Sequence, residues 1–233
     1  MLNKLDNFFD NLNKFDHQEI FSDLKNIWEI VPKIEFYLDK FFENYKAPII
    51  EDGVENKGKL LGQRIFIGKG TIIEEGVSIK EPAIIGRNNY LRQGAYLRGN
   101  VITGDDCLIG HATEVKNSLI MDGSKAPHFN YLGDSILGSG VNLGAGVILA
   151  NFKSGARNPK INIYYQNQKI ETGLRKFGSI LGDNVHIGCN SVLNPGTIVG
   201  KNSLIYPLTL LIGVIPPGSI IKNKPSLKIE KYQ

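Results

Sequence analysis

Cysteine is scarce in this chain. Cys107 and Cys189 are the only two, they lie far apart, and neither belongs to a CxxC pair. That excludes a disulfide scaffold and a zinc knuckle and fits a reducing compartment. Tryptophan occurs once. The most apolar run, Leu204 to Pro217, is too short to cross a bilayer and contains Pro207. The N-terminus MLNKLDNFFDN holds no unbroken apolar stretch, so neither a signal peptide nor a membrane anchor is expected and a cytoplasmic location is. No GxSxG elbow, P-loop, HExxH or HxH spacing occurs. The histidines therefore read as non-metal groups, and no metal is expected. The first 60 or so residues also lack the βαβ glycine fingerprint of a dinucleotide or sugar-nucleotide domain.

What is abundant is glycine, with 26 residues, in a chain that is 42% hydrophobic and 21% charged. This is a globular composition with many turns. The net charge of +4 is unevenly spread: residues 1–50 hold six Lys and nine Asp or Glu. The basic excess further along suits a phosphorylated small molecule. It is scattered among turns without interleaved aromatics, so no nucleic-acid partner is expected.

Residues 1–48 read as a helical N-terminal segment. Ile20, Phe21, Leu24, Ile27 and Trp28 share one helical face, and Ile34, Tyr37, Leu38, Phe41 and Phe42 another. Pro32 is expected to separate two short helices. From residue 49 to 221 another period rules. Ile67, Ile73, Ile79, Ile85, Leu91, Leu97, Thr103, Ile109 and Val115 fall six apart, and only Thr103 is not strongly apolar. The ladder loses phase near residue 120, resumes at Leu137, Leu143 and Leu149, and returns at Leu181, Ile187, Leu193, Val199, Ile205 and Leu211. Six is not a multiple of 3.6, so a helix would scatter these residues around its circumference. Short strands joined by regular turns keep them on one side. The expected fold is mainly β: a left-handed parallel β-helix of hexapeptide repeats. It carries the short N-terminal α-helical segment and a β-hairpin excursion over 151–178, where KINIYYQNQKIETG alternates around Gln166-Asn167. Residues 222–233 form a tail. The apolar faces of the N-terminal segment are expected to cap the open edge of the first coil.

Candidate chemistry gathers where the ladder breaks. GSKAPHFNYLGDSILGSGVNLGAGVILANFK, residues 123–153, holds Lys125, His128, Tyr131, Asn142 and Asn151. Arg98 and Lys116 precede it, and Arg157, Lys160 and Lys176 follow. His128 is the natural general base, because imidazole titrates near neutrality.

AYLRGNVITGDDCLIGHATEVKNSLIMDGSKAPHFNYLGDSILGSGVNLGAG, residues 95–146, closely resembles the acetyltransferase domain of the bifunctional glucosamine-1-phosphate N-acetyltransferase / N-acetylglucosamine-1-phosphate uridylyltransferase family. The likeness resumes at GLRKFGSILGDNVHIGCNSVLNPGTIVG, residues 173–200. EVK followed by GSKxxHxxYLGD is its most specific part, and the long excursion resembles that of archaeal sugar-phosphate enzymes. The resemblance implies that Arg98 and Lys116 grip a sugar phosphate and that His128 deprotonates the sugar amine. It implies that Tyr131, Asn142 and Asn151 contact the substrate, with Lys160 less securely aligned. Lys176 would reach in from a neighbouring subunit of a homotrimer. Ala145 and Cys189 would line the groove for acetyl-CoA, the acyl donor. The Gly144-Ala145-Gly146 turn would supply an oxyanion N–H.

Some features depart from that family. No nucleotidyltransferase domain precedes the coils, so uridylyl transfer is not expected and a separate protein would supply it. Asn151 is followed by FKSG instead of a tyrosine-containing turn, and the tail lacks a long basic extension for CoA. Two other functions remain open on the sequence. One is a hexapeptide-repeat acyltransferase for a nucleotide sugar or lipid A precursor; the other is a non-catalytic sugar-phosphate-binding scaffold.

Overall fold

The computed structural model describes Leu2, residues 4–154 and residues 159–224. Between Ile49 and Ile221 the chain winds through three parallel sheets of nine, nine and eight strands, visited in rotation. Here they are named A, which includes Ile65–Ile67 and Val101–Thr103; B, which includes Leu108–His111 and Lys125–His128; and C, which includes Tyr96–Arg98 and Glu114–Lys116. Each apolar residue of the ladder lies inside, on the coil below it: Ile73 on Leu91, Ile79 on Leu97, Ile85 on Thr103. Their side chains form one buried column from Ile65 to Leu211. This is the parallel β-helix that the six-residue period requires.

Thr103, the polar exception, is fully buried, and its hydroxyl is satisfied. It accepts from the Asn89 side-chain amide at 3.0 Å and from Gly86 N at 3.2 Å. Asn89 in turn accepts from Cys107 N at 2.6 Å. A buried hydroxyl costs little once it is bonded in this way.

The apparent loss of phase near residue 120 is corrected by the register. The ladder continues through Val115, Ile120, Ala126, Leu132 and Leu137, all buried, with two of its steps shortened to five. One coil separates Ile84 from Ile102 by 18 residues, but Ile102 from Leu119 and Leu119 from Ile136 by 17. The residue is lost at the corner between sheets C and A. Gly99-Asn100 turns that corner in one coil, whereas Asn117 and then Asp134 turn it alone, with φ of 46° and 48°. Asn and Asp tolerate this left-handed conformation better than other side chains.

The N-terminal segment corrects two expectations. It is helical only over Ile30–Phe41; before that it makes single 3-10 turns at Leu5–Asn7, Leu12–Lys14, Gln18–Phe21 and Ile27–Glu29. Pro32 sits in the first turn of the helix, where the missing N–H would have no partner anyway, so it does not divide two helices. Nor does the segment cap the first coil. It lies lengthwise over the outer face of sheet A, where Phe66, Ile84, Ile102, Leu119, Ile136, Ile180 and Ile198 make an apolar stripe. At one end Arg64 pairs with Asp39 at 2.7 Å. At the other Asp183 N donates to Phe8 O at 2.7 Å, and Lys201 pairs with Asp10 at 2.5 Å.

The excursion is the expected hairpin: Asn162–Tyr165 pairs antiparallel with Gln168–Glu171. Gln166 and Asn167 turn it at φ of 48° and 60°. Its Ile161 and Ile163, with Phe177, join the apolar layer over sheet A. Among the described residues, the chain thus covers one of its three outer faces and leaves sheets B and C facing outward.

Candidate active site

The B–C corner recurs once per coil and stacks one residue above another. Successive coils place Gln93, His111, His128, Ala145 and Cys189 there. Each carbonyl of this column accepts from the corner N–H of the next coil: Ala112 N on Gln93 O at 3.3 Å, Phe129 N on His111 O at 2.9 Å, Gly146 N on His128 O at 3.0 Å, Asn190 N on Ala145 O at 2.8 Å, and Leu208 N on Cys189 O at 2.9 Å. Parallel strands are about 4.8 Å apart, so His128, Ala145 and Cys189 form a line at that spacing. His128 and Cys189 are exposed. Asn130 steadies the His128 turn, accepting from His128 N at 3.2 Å and donating to Gly144 O at 2.8 Å.

Sheet C adjoins this corner and carries the cations. Arg98, Lys116 and Tyr131 project outward from successive coils, since each stands beside an inward ladder residue. Glu114 pairs with Arg98 at 2.5 Å, and Asp134 with Lys116 at 3.5 Å. Asp134 is a hub. Its side chain, 5% exposed, also accepts from Asn117 Nδ2 at 2.8 Å and from Asn151 Nδ2. Tyr131 Oη reaches Asn151 Oδ1 at 3.4 Å. Burial raises the pKa of the Tyr131 phenol, and the carboxylates Glu114 and Asp134 raise it further, so it stays a neutral donor. The hydrogen bond that Arg98 donates to the Glu114 carboxylate raises its own pKa and holds its charge.

One face thus brings together Arg98, Lys116, Tyr131 and Asn151, with His128 at its edge. Asn142 is not on it: Asn142 faces outward from sheet B, between Lys125 and His186 in register. Lys160 and Lys176 are exposed, Lys176 beside Phe177, whose N–H donates to Asn151 O at 3.0 Å. Arg157 lies outside the described residues. The glycine turn is mostly spoken for, because Gly144 N donates to Ile187 O and Gly146 N to His128 O. Of its three N–H groups, only that of Ala145 suits an oxyanion. Among the described residues no group of three His, Cys, Asp or Glu is placed to hold a metal ion, and no helix is long and apolar enough to cross a membrane. Sequence reasoning overlooked Glu114 and Asp134 as the holders of the basic pair. Both stood inside the quoted motifs EVK and GSKxxHxxYLGD, but the pairing depends on which coils are neighbours.

The family model for the GMPPB C-terminal domain matches residues 79–207. The chain belongs to this family. Among curated proteins, the bifunctional sugar-1-phosphate nucleotidylyltransferase/acetyltransferase of Sulfurisphaera tokodaii is 33% identical over 82% of this chain and 46% of its own length. The bifunctional protein GlmU of Methanococcus vannielii is 33% identical over 90% of this chain and 49% of its own length. The chain therefore spans about half the length of these curated relatives. A solved UDP-N-acetylglucosamine acyltransferase from Francisella novicida superposes with a TM-score of 0.48 at 18% identity, covering 76% of this chain and 59% of its own.

The matched stretch contains every candidate residue from Arg98 to Cys189. It does not reach the N-terminal segment that covers sheet A.

Proposed function

We propose that this protein transfers the acetyl group of acetyl-CoA to the amine of glucosamine-1-phosphate or a related amino-sugar phosphate. The observation that carries the reading is the sheet C face, where two held cations, a neutral phenol and an amide stand beside His128. Arg98 and Lys116 bind the phosphate through charge-assisted hydrogen bonds. Tyr131 and Asn151 orient the sugar. Nε2 or Nδ1 of His128 takes a proton from the amine as its nitrogen bonds the thioester carbon. The C–S bond then breaks, and CoA leaves as the thiol with that proton. The donor's extended arm follows the corner column past Ala145 and Cys189, whose Ala145 N–H faces the developing oxyanion.

The reading includes a homotrimer. Asn142 shares no face with the sheet C cluster, so it joins the site only if sheet B of one copy meets sheet C of another. Lys160 and Lys176, exposed on the excursion, extend in this reading toward the substrate, Lys176 from a neighbouring copy.

The test is thiol release from acetyl-CoA with a panel of amino-sugar phosphates and UDP-amino sugars. Glucosamine-1-phosphate should turn over, and His128→Ala should lower kcat about 10²- to 10⁴-fold with unchanged melting. Release with a UDP-sugar only would replace this reading by a nucleotide-sugar acyltransferase. Binding of the sugar phosphate with no turnover by the wild type would replace it by a scaffold.

A further inference from the structure

His111 has no part in the chemistry above, yet its placement is specific. It ends the sheet B strand Leu108–His111 and faces His128 directly in the parallel register. The two coils approach closely there. A Cβ on Gly110 would stand 1.6 Å from Pro127 O, so only glycine allows the contact.

The ring of His111 is held on two sides. Its Nδ1 lies 2.8 Å from Gln93 O. A carbonyl only accepts, so Nδ1 carries the hydrogen, and in the neutral ring Nε2 keeps its lone pair. Gln93 is fixed in turn, because its N–H donates to the Glu74 carboxylate at 2.7 Å. The Phe129 ring packs edge-on against the imidazole at 5.4 Å. The imidazole nevertheless remains exposed. A surface ring fixed in plane and tautomer is organised in advance to accept one hydrogen bond.

Position supplies the partner. His111 belongs to the same coil as Lys116, and Arg98 to the coil before. His111 stands at the same corner as His128, one coil before it, so an acceptor whose amine meets His128 has its neighbouring substituent beside His111. Rings on strands about 4.8 Å apart serve neighbouring substituents of one sugar.

We propose that His111 is a substrate-binding residue whose Nε2 accepts a hydrogen bond from the hydroxyl next to the reacting amine. This rests on the amino-sugar acetyl transfer proposed above. His111 thereby selects acceptors that carry a hydroxyl at that carbon, while His128 handles the amine.

The experiment is a thermodynamic cycle on the full chain, with glucosamine-1-phosphate and its 3-deoxy analogue as acceptors and with wild type, His111→Ala and His111→Gln as enzymes. Wild type should discriminate against the deoxy acceptor through KM. His111→Ala should raise KM for glucosamine-1-phosphate about 3- to 10-fold, the range of one lost hydrogen bond, leaving kcat nearly constant. It should treat both acceptors alike. His111→Gln keeps an acceptor atom and should recover part of the discrimination. If wild type turns over but His111→Ala discriminates as wild type does, the role of His111 is overturned while the acetyl transfer stands. If wild type acetylates neither acceptor, the acetyl transfer falls and the role of His111 with it.

Discussion

Two carboxylates hold the two cations of sheet C, and their surroundings differ enough to separate their contributions. The Arg98–Glu114 side chains are 43% and 35% exposed. Such a pair contributes about 0–1 kcal/mol. Asp134 is nearly buried and serves Lys116, Asn117 and Asn151 together. Asp134→Asn keeps the left-handed turn but removes the charge beside Lys116 and turns one acceptor oxygen into a donor facing Asn117 or Asn151, and should cost about 1–3 kcal/mol, the range for unsatisfied buried polar groups. Glu114→Ala should cost less than 1 kcal/mol. Urea denaturation of the two variants measures the difference; equal losses would show that Asp134 is no hub. At this scale the sequence exposes residue types but not pairings. His128 was singled out through the resemblance around GSKxxHxxYLGD, since a histidine in a loop is by itself usually a solvated side chain. Asp134 and His111 were not, because their meaning lies in Lys116 and His128, residues on adjacent strands or one coil away.

The elements were legible wherever a single period governed them. The ladder fixed the inward residue of each hexad, and even its two five-residue steps followed the same rule once Asn117 and Asp134 were seen to turn a corner alone. The N-terminal segment was less legible. Its apolar spacing of three and four fits a helix, yet residues up to Glu29 make 3-10 turns, because packing on the stripe of sheet A overrides local periodicity. His17 stands in this layer. Its Nδ1 lies 2.9 Å from Tyr37 Oη, and its ring packs edge-on against Phe15, Tyr37 and Phe41. Burial holds its pKa below 6.5, with Asp16 and Asp105 opposing. The unfolded chain therefore binds this proton more readily. The contribution is fully present above about pH 6.5 and is lost as pH falls toward the lower folded value. Stability should drop between pH 7.5 and 5.5, and His17→Phe should flatten that slope. Paired urea titrations at the two pH values measure it; an unchanged slope would remove His17 as the cause.

For the whole molecule, the distribution of apolar surface decides what the coils can still join. Sheet A is covered by residues 4–45 and the hairpin. Sheets B and C expose Leu204 and Ile220 on one face and Tyr96 and Leu210 on the other, with Leu208 and Ile212 close by. Leu210 is 63% exposed. The two faces differ, and each carries exposed apolar side chains among its polar ones, which favours a head-to-tail contact; such contacts stay finite only when the rotation closes a ring. In the homotrimer proposed above, three copies meeting B to C would close one, and each junction would set Asn142 and Lys125 of one copy against Arg98, Lys116 and Tyr131 of the next. The expected mass by analytical ultracentrifugation is three times the 25.8 kDa chain. Leu210→Asp places a charge in each junction without touching the buried ladder. It should give folded monomers by circular dichroism and abolish acetyl transfer, since Asn142 no longer reaches the sheet C of a neighbour. Monomers with full activity would instead confine the whole site to one chain, and Asn142 would then have no part in it.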